Sequence, residues 1–455
     1  MDISLNALSL ENELTFIETA FELQLLPQTG LTAENIDRFK QSLQNNPNIS
    51  RLACSFGELT SEETQMLVIA LNQALETKKL DSLTIFNHIG VSLLKDYLPL
   101  LIAQLQAGLL ALKLQGQSYP KAGFPRALLT ALELENLASC FESSFDSHLE
   151  LKELELSVDV FSRKAVSSLR KILQKTPNLE IINLQGKSSY VKSSFATKPV
   201  SGFIELLVIL TGLSKIKVIN LSHCNLGDEV LEPLVKALEN LVHLKVLNLS
   251  YNSLGEKCAF LLDAMAKKLS LNELYLEGNS IPQVMHAKLT DFLNQALELT
   301  HIGFSFREPI SLPNHLAQAL IDHPKLQHIR CQTSYRKELI PGLLKVVSQN
   351  HRILEVSPFG DELNPLIPTQ KTSLVKQLER NRVANKLIQR LSIMQVFYKR
   401  QPEISGEVAL VPLAKFPKPV IHKMMQWLGM KIPNMNEQAC IASIFVPSSR
   451  AVLYK

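Results

Sequence analysis

Residues 244–255 read Leu-Lys-Val-Leu-Asn-Leu-Ser-Tyr-Asn-Ser-Leu-Gly. Leu244, Leu247, Leu249, Asn252 and Leu254 fall on the spacing L-x-x-L-x-L-x-x-N-x-L. Strand side chains alternate with period two, so Leu247 and Leu249 share one face of a short strand. Beyond Gly255 the period changes. Cys258, Leu261, Leu262, Met265 and Leu269 follow one stripe of a helix. One unit is therefore a strand, a turn and a helix, with apolar faces it cannot bury alone.

Copies flank it on both sides. Leu271, Leu274, Leu276, Asn279 and Ile281 repeat the pattern forward. Ile216, Ile219, Leu221, Cys224 and Leu226 repeat it backward, with Cys in the Asn slot. The starts at 216, 244 and 271 are 28 and 27 residues apart. The helices keep register as well: Leu231, Leu234, Val235 and Leu238 correspond to Cys258, Leu261, Leu262 and Met265. This spacing resembles the ribonuclease-inhibitor class of leucine-rich repeats. The resemblance implies an α/β solenoid with a curved parallel sheet inside and helices outside. It also implies that the Asn or Cys closes the turn after each strand by satisfying backbone groups of neighbouring coils.

Length and composition bound the rest. A chain of 455 residues, 46% hydrophobic and 20% charged, is long enough and apolar enough for a large core, and its 6% aromatic content suits a Leu-rich one. No N-terminal stretch reads as a signal peptide, and no apolar run reaches the length of a membrane span. The six Cys form no C-x-x-C pair. Cys54, Cys331 and Cys258 fall on inward positions, which fits buried thiols in a reducing compartment.

In chain order, residues 1–19 are expected to cap the open end of the stack, as a terminal repeat has no neighbour. About 11–12 units follow from residue 20 to 370. Thr32 is expected to cap a helix over Ala33 to Gln44 with Ile36, Phe39 and Leu43 inward. Strands are expected at Leu52 and Cys54, Leu83 and Ile85, Leu112 and Leu114, Leu154 and Leu156, and Ile182 and Leu184. After the clear block they continue at Ile302 and Phe304, Ile329 and Cys331, and Val356. Extra material is expected in Gln117 to Phe124, Leu137 to Ser147 and Ser188 to Ser201. Residues 371–403 form a basic capping helix region, and 404–455 a small helical module.

No chemistry-bearing motif emerges. There is no phosphate loop, no H-E-x-x-H and no nucleophile elbow. Glu273, His301 and His328 occupy one position of adjacent strands and read as a polar ladder on a binding face rather than as metal ligands. Neither a catalytic residue nor a cofactor is implied.

The positions that point away from the core define a concave binding face. Its larger side chains collect at Tyr251, Tyr275, Glu277, Phe306 and Arg330, beside His301 and His328. Tyr and Arg are enriched among residues that dominate interfaces, so these seven are the expected protein-binding patch.

Two C-terminal stretches carry alternatives. Residues 371–400 hold eight Lys or Arg against one Glu. Arg380, Arg382, Lys386 and Arg390 there could bind an acidic membrane or nucleic acid. The poor interleaving of aromatics argues against nucleic acid, and a solvated capping face is the plainer reading. Phe416 to Leu428 resembles the opening of an F-box, with Pro417, Ile421 and Trp427 at matching places. It departs from that pattern at Phe416 and Pro419, and a degenerate helical cap is the default. The F-box resemblance implies a ubiquitin-ligase substrate adaptor contacting a ligase linker protein.

Taken together, the reading is a monomeric, non-enzymatic interaction scaffold for a protein partner. Its irregular repeats, insertions and basic C-terminal appendage resemble leucine-rich-repeat effectors that intracellular bacteria such as Legionella translocate into host cells. That resemblance implies action on host proteins in the host cytosol without a cleaved signal peptide.

Overall fold

The computed structural model describes residues 2–3, 22–25, 32–55, 60–76, 78–87, 94–116, 129–143, 149–158, 161–186, 200–279, 282–306, 311–332, 336–357, 373–383 and 385–386. The chain divides into two compact units, Met1–Glu308 and Pro309–Lys455.

In the first unit eleven described strands lie in chain order: β1 (Asp2–Ile3), β2 (Glu22–Leu25), β3 (Arg51–Ser55), β4 (Ser82–Asn87), β5 (Ala111–Gly116), β6 (Glu153–Ser157), β7 (Ile181–Gln185), β8 (Val218–Asn220), β9 (Val246–Asn248), β10 (Glu273–Tyr275) and β11 (His301–Ser305). Each pairs parallel with the next. Register follows the repeat: Ile219 stands opposite Leu247, and Leu247 opposite Leu274. From β2 onward a described helix returns the chain to each next strand, among them α1 (Ala33–Asn45), α2 (Ser61–Leu75), α4 (Ala131–Ser143), α7 (Leu231–Glu239) and α8 (Cys258–Ala266). The architecture is a leucine-rich-repeat α/β solenoid.

The core is the sum of the period-two and period-3.6 faces. Ile182, Leu184, Ile219, Leu221, Leu247, Leu249, Leu274 and Leu276 are all fully buried, as are Leu231, Leu234, Leu261 and Cys258 from the helices. Local chemistry starts the helices where the sequence says. Thr32 Oγ1 accepts from Asn35 N–H, and Thr60 and Glu63 form a reciprocal capping box.

The slot filled by Asn or Cys stitches the coils together. Asn252 Nδ2 donates to the carbonyls of Leu221 and Leu249, both at 2.9 Å, and its Oδ1 accepts from Leu226 N–H at 3.0 Å. Asn279 repeats this one coil on, toward Leu249, Leu276 and Leu254. Cys224 Sγ does a reduced version, 3.0 Å from Leu184 O. A thiol has one weak donor, so it closes the turn without the second arm.

Three expectations need correction. Leu269 does not join its helix stripe: α8 ends at Ala266 and Leu269 is 81% exposed. The chain turns there to reach the next strand, which carries Leu269 off the buried face. Leu137 is not inserted material. It belongs to α4, where Leu134, Leu137 and Phe141 are fully buried. Asp2–Ile3, placed in a cap, pairs as a strand with Gln24–Leu25. The Ser188 to Ser201 insertion lies outside the described residues except at its last two.

In the second unit, β12 (His328–Gln332) pairs parallel with β13 (Glu355–Ser357), accompanied by α10 (Asn314–Asp322), α11 (Arg336–Gln349) and a helix over 373–383. Asn381, 1% exposed, donates its amide to the carbonyls of Val347, Asn350 and Ile353. Leu374 and Leu378 are buried beside it. That basic segment thus closes onto the last repeat through its own Asn.

Candidate functional site

The face of the first unit's sheet opposite the helices is built from residues between the core Leu positions. On β7, β8 and β9 these are half-buried, in the alternation that an open, one-sided sheet produces. Toward β10 and β11 the side chains grow and interlock.

Tyr251 is the most exposed of the expected anchors in this unit, at 37%. Its ring stacks on His223, centroids 4.3 Å apart and planes 7° from parallel. His223 and Tyr251 both hold positive φ, 59° and 56°, as does Gly278 (71°) at the same position one repeat on. Gly278 is required there. A Cβ would sit 2.6 Å from Tyr251 Cδ1, so the absent side chain is the seat for the ring. Beside it, Tyr275 donates its hydroxyl to Glu273 Oε2 at 2.8 Å, and Glu273 lies 3.7 Å from His301 Nδ1. The Tyr275 and His301 rings meet edge-on at 6.4 Å.

Other expected anchors lie elsewhere. Phe306 is 6% exposed and packs on Phe304 and His286, so it is a core residue; its position at the strand exit turns the ring under the sheet. Glu277 is also buried, at 6%, and accepts from Ser250 Oγ at 2.5 Å. Gly303 makes room for it, since a Cβ there would lie 2.2 Å from the carboxyl carbon. Glu277 therefore braces the patch from below. Tyr275, 8% exposed, offers chiefly an edge. In the second unit His328 Nδ1 lies 3.3 Å from Glu355 Oε2, and Arg330 is exposed. Arg380, Arg382 and Lys386 are exposed, while Arg390 and the F-box-like Pro417, Ile421 and Trp427 lie outside the described residues.

Electrostatics separate two ends of the face. Burial raises the Glu155 carboxyl above its usual range, against the opposing pull of a Gln115 hydrogen bond and the Lys113 charge. At the strand starts, the Lys217 hydrogen bond lowers Glu180, with Lys152 and Lys215 adding to it. The thiols are inert: burial pushes Cys140 up to about 11 and Cys258 up to about 12, and raises Cys54 and Cys224 further. Among the described residues no group of three or more His, Cys, Asp or Glu could hold a metal, and no helix is long and apolar enough to cross a membrane.

One feature went unread in the sequence. A groove of about 750 Å³ on the helical face, between α7 and α8, is lined by Val235, Val242, Phe260, Ala264 and Leu269. Phe260 and Val242 are 60% and 63% exposed. A break in the helical stripe at Leu269 was the available signal.

No protein-family model matches the chain, and no curated protein matches its sequence. Similar solved structures include an internalin from Listeria monocytogenes, 12% identical over 76% of this chain and 87% of that one, with a TM-score of 0.33. They also include the TLR13–ssRNA13 complex, at 15% identity over 79% of this chain and 43% of that one, TM-score 0.31. Leiomodin-1 Actin-Binding Site 2 shows 15% identity over 42% of this chain and 95% of that one, TM-score 0.28.

Proposed function

We propose that the chain is a non-enzymatic scaffold that binds a protein partner on the open sheet face, centred on Tyr251. The observation that supports this most is the Tyr251–His223 stack. Two non-glycine residues are held in the left-handed region, where each costs about 1–2 kcal/mol, to fix an aromatic ring at the surface. A preset aromatic ring loses little entropy on binding. The Tyr275–Glu273–His301 network gives it a polar border.

In this reading the partner is a host protein met after translocation from a bacterium. Support for that finer step is the resemblance of irregular repeats, insertions and basic appendage to such effectors. The test is affinity capture from eukaryotic lysate with the full chain, its Tyr251→Ala variant and a chain ending at Gln401. A partner kept by the shortened chain and lost in Tyr251→Ala is the expected result. Retention of a Skp-type linker by the full chain alone would replace this reading with the ligase-adaptor one. A partner indifferent to Tyr251 would overturn the placement.

A further inference from the structure

Across β7, β8 and β9 the open face repeats one pattern three times. Ile181, Val218 and Val246 stand in register, and so do Asn183, Asn220 and Asn248. All six are half-buried. Three β-branched apolar side chains in a row on the solvent side of a sheet have no folding role to explain them, because the core lies on the other face. The row stops at both ends on an acid, Glu153 and Glu273, which neighbour Ile181 and Val246 in register. Both acids are engaged, Glu153 with Lys113 at 2.7 Å and Glu273 with the Tyr275 hydroxyl.

The two flanks of this stripe have one chemical sense. On the strand-exit side, Asn220 Oδ1 and Asn248 Oδ1 each accept from the backbone N–H two residues on, at 3.0 Å. With the oxygen committed, what each amide offers a partner is its Nδ2 donor. On the strand-entry side stand Lys152, Lys217 and Lys245, with Lys215 close by, around a single carboxylate, Glu180. Lys217 Nζ lies 2.5 Å from Glu180. Among the described residues no carboxylate lies within ion-pair distance of Lys245, which is exposed. The flanks therefore present donors and positive charge on both sides of an apolar row.

Spacing selects the conformation of the occupant. Adjacent strands are ~4.8 Å apart, so three rows span ~9.6 Å. A helix lying across the strands repeats a side chain on one face about every 5.4 Å, and residues i, i+4 and i+7 span ~10.5 Å. An extended peptide repeats a face only every ~6.7 Å and falls out of step by the second strand. Resting on the reading that the open face binds protein, we infer that the Ile181–Val218–Val246 stripe takes an amphipathic α-helix of a partner, about two turns long in contact, with an apolar ridge between acidic flanks. The apolar centre favours such a helix over a nucleic-acid backbone, which would want the lysines alone.

The experiment is selection of a displayed library of random 16-residue peptides on the full chain, followed by anisotropy of the enriched peptides. Expected binders carry Leu, Ile or Met at i, i+4 and i+7 with Asp or Glu beside them. Their affinity should fall about tenfold or more in Val218→Asp and survive in Tyr251→Ala. Because Val218→Asp might disturb the sheet, a second variant joins it: Lys152→Glu with Lys245→Glu, two exposed surface residues. That pair should invert the preference to Lys- or Arg-flanked helices. Enrichment of peptides without the helical period, no enrichment at all, or unchanged preference in the double variant overturns the inference. So does a single-stranded oligonucleotide that binds equally well and competes with the peptides. If a captured protein depends on Tyr251 but not on Val218, this inference fails while the proposed function stands. If no capture depends on the face at all, the function fails first.

Discussion

The His223 imidazole lies on the Tyr251 ring at 4.3 Å, and the backbones of both residues occupy the left-handed region that Gly278 fills in the following repeat. Strain and stacking are of similar size. A left-handed non-glycine costs about 1–2 kcal/mol, and an aromatic pair returns about 0.5–1.5 kcal/mol beyond its buried area. Tyr251→Gly removes both together. Its stability in urea should therefore stay within about 1 kcal/mol of the parent, while capture of the partner drops about tenfold or more. Tyr251→Ala keeps the strain and loses the stack, so it should be the less stable of the two. Parental binding by Tyr251→Gly would remove the ring from the site.

Gly278→Ala probes the same contact from the other side. A Cβ at φ 71° is strained, and it would meet Tyr251 Cδ1 at 2.6 Å and Tyr251 Cα at 3.0 Å. The expected loss is about 2 kcal/mol in denaturant midpoint terms. The steric share should vanish when Gly278→Ala is placed in Tyr251→Gly, whereas the conformational share should persist. A double-mutant cycle that is additive would show that the two residues do not touch in the working protein.

The repeat was legible because period, not propensity, carries it. Leu247, Leu249 and Asn252 each have a counterpart at fixed distance, and the fold puts those counterparts side by side. The anchors were harder to read. Position eight places Tyr251 at the surface but Phe306 in the core, because Phe306 meets Phe304 and His286 where Tyr251 meets a glycine. Glu277 looks like any exposed acid until Gly303 and Ser250 are seen around it. Such placements depend on the neighbouring coil, which a single repeat does not contain.

The amide slot yields a graded test. Asn252→Ala would leave the Leu226 N–H and the Leu221 and Leu249 carbonyls without their buried partner. Each unsatisfied buried group costs about 1–3 kcal/mol, so a loss of about 3 kcal/mol is expected after partial relaxation. Asn252→Cys should lose less, since Cys224 already serves that slot with a single short contact to Leu184 O. Equal losses in equilibrium urea unfolding would mean that the thiol contributes nothing there.

Glu155 supplies a pH signature. Burial raises its carboxyl in the folded chain above the ordinary value. Its contribution is then fully favourable below the ordinary carboxylate value and is lost as pH rises through the raised one. Glu155→Gln carries no such penalty and keeps a partner for Gln115. The variant should be the more stable chain at neutral pH, with the advantage disappearing on acidification below the ordinary Glu value. A difference in unfolding midpoint that is the same at both pH values would assign the effect to packing.

At the C-terminal cap, closure and charge are carried by different side chains. Asn381 is buried and holds three carbonyls, whereas Arg380, Arg382 and Lys386 are exposed on the same helix. Arg382 also reaches Leu354 O at 3.1 Å, a surface bond of small worth. Asn381→Ala should cost the second unit about 2–3 kcal/mol and expose residues 373–383 to limited proteolysis. Neutralising Arg380, Arg382 and Lys386 to Gln should leave that proteolysis unchanged. If the triple variant loosens the cap as much as Asn381→Ala does, the helix is held by its charges and not by its asparagine. If it leaves the cap intact but abolishes a salt-dependent association of the full chain with anionic vesicles, the basic face has a binding role separate from closure.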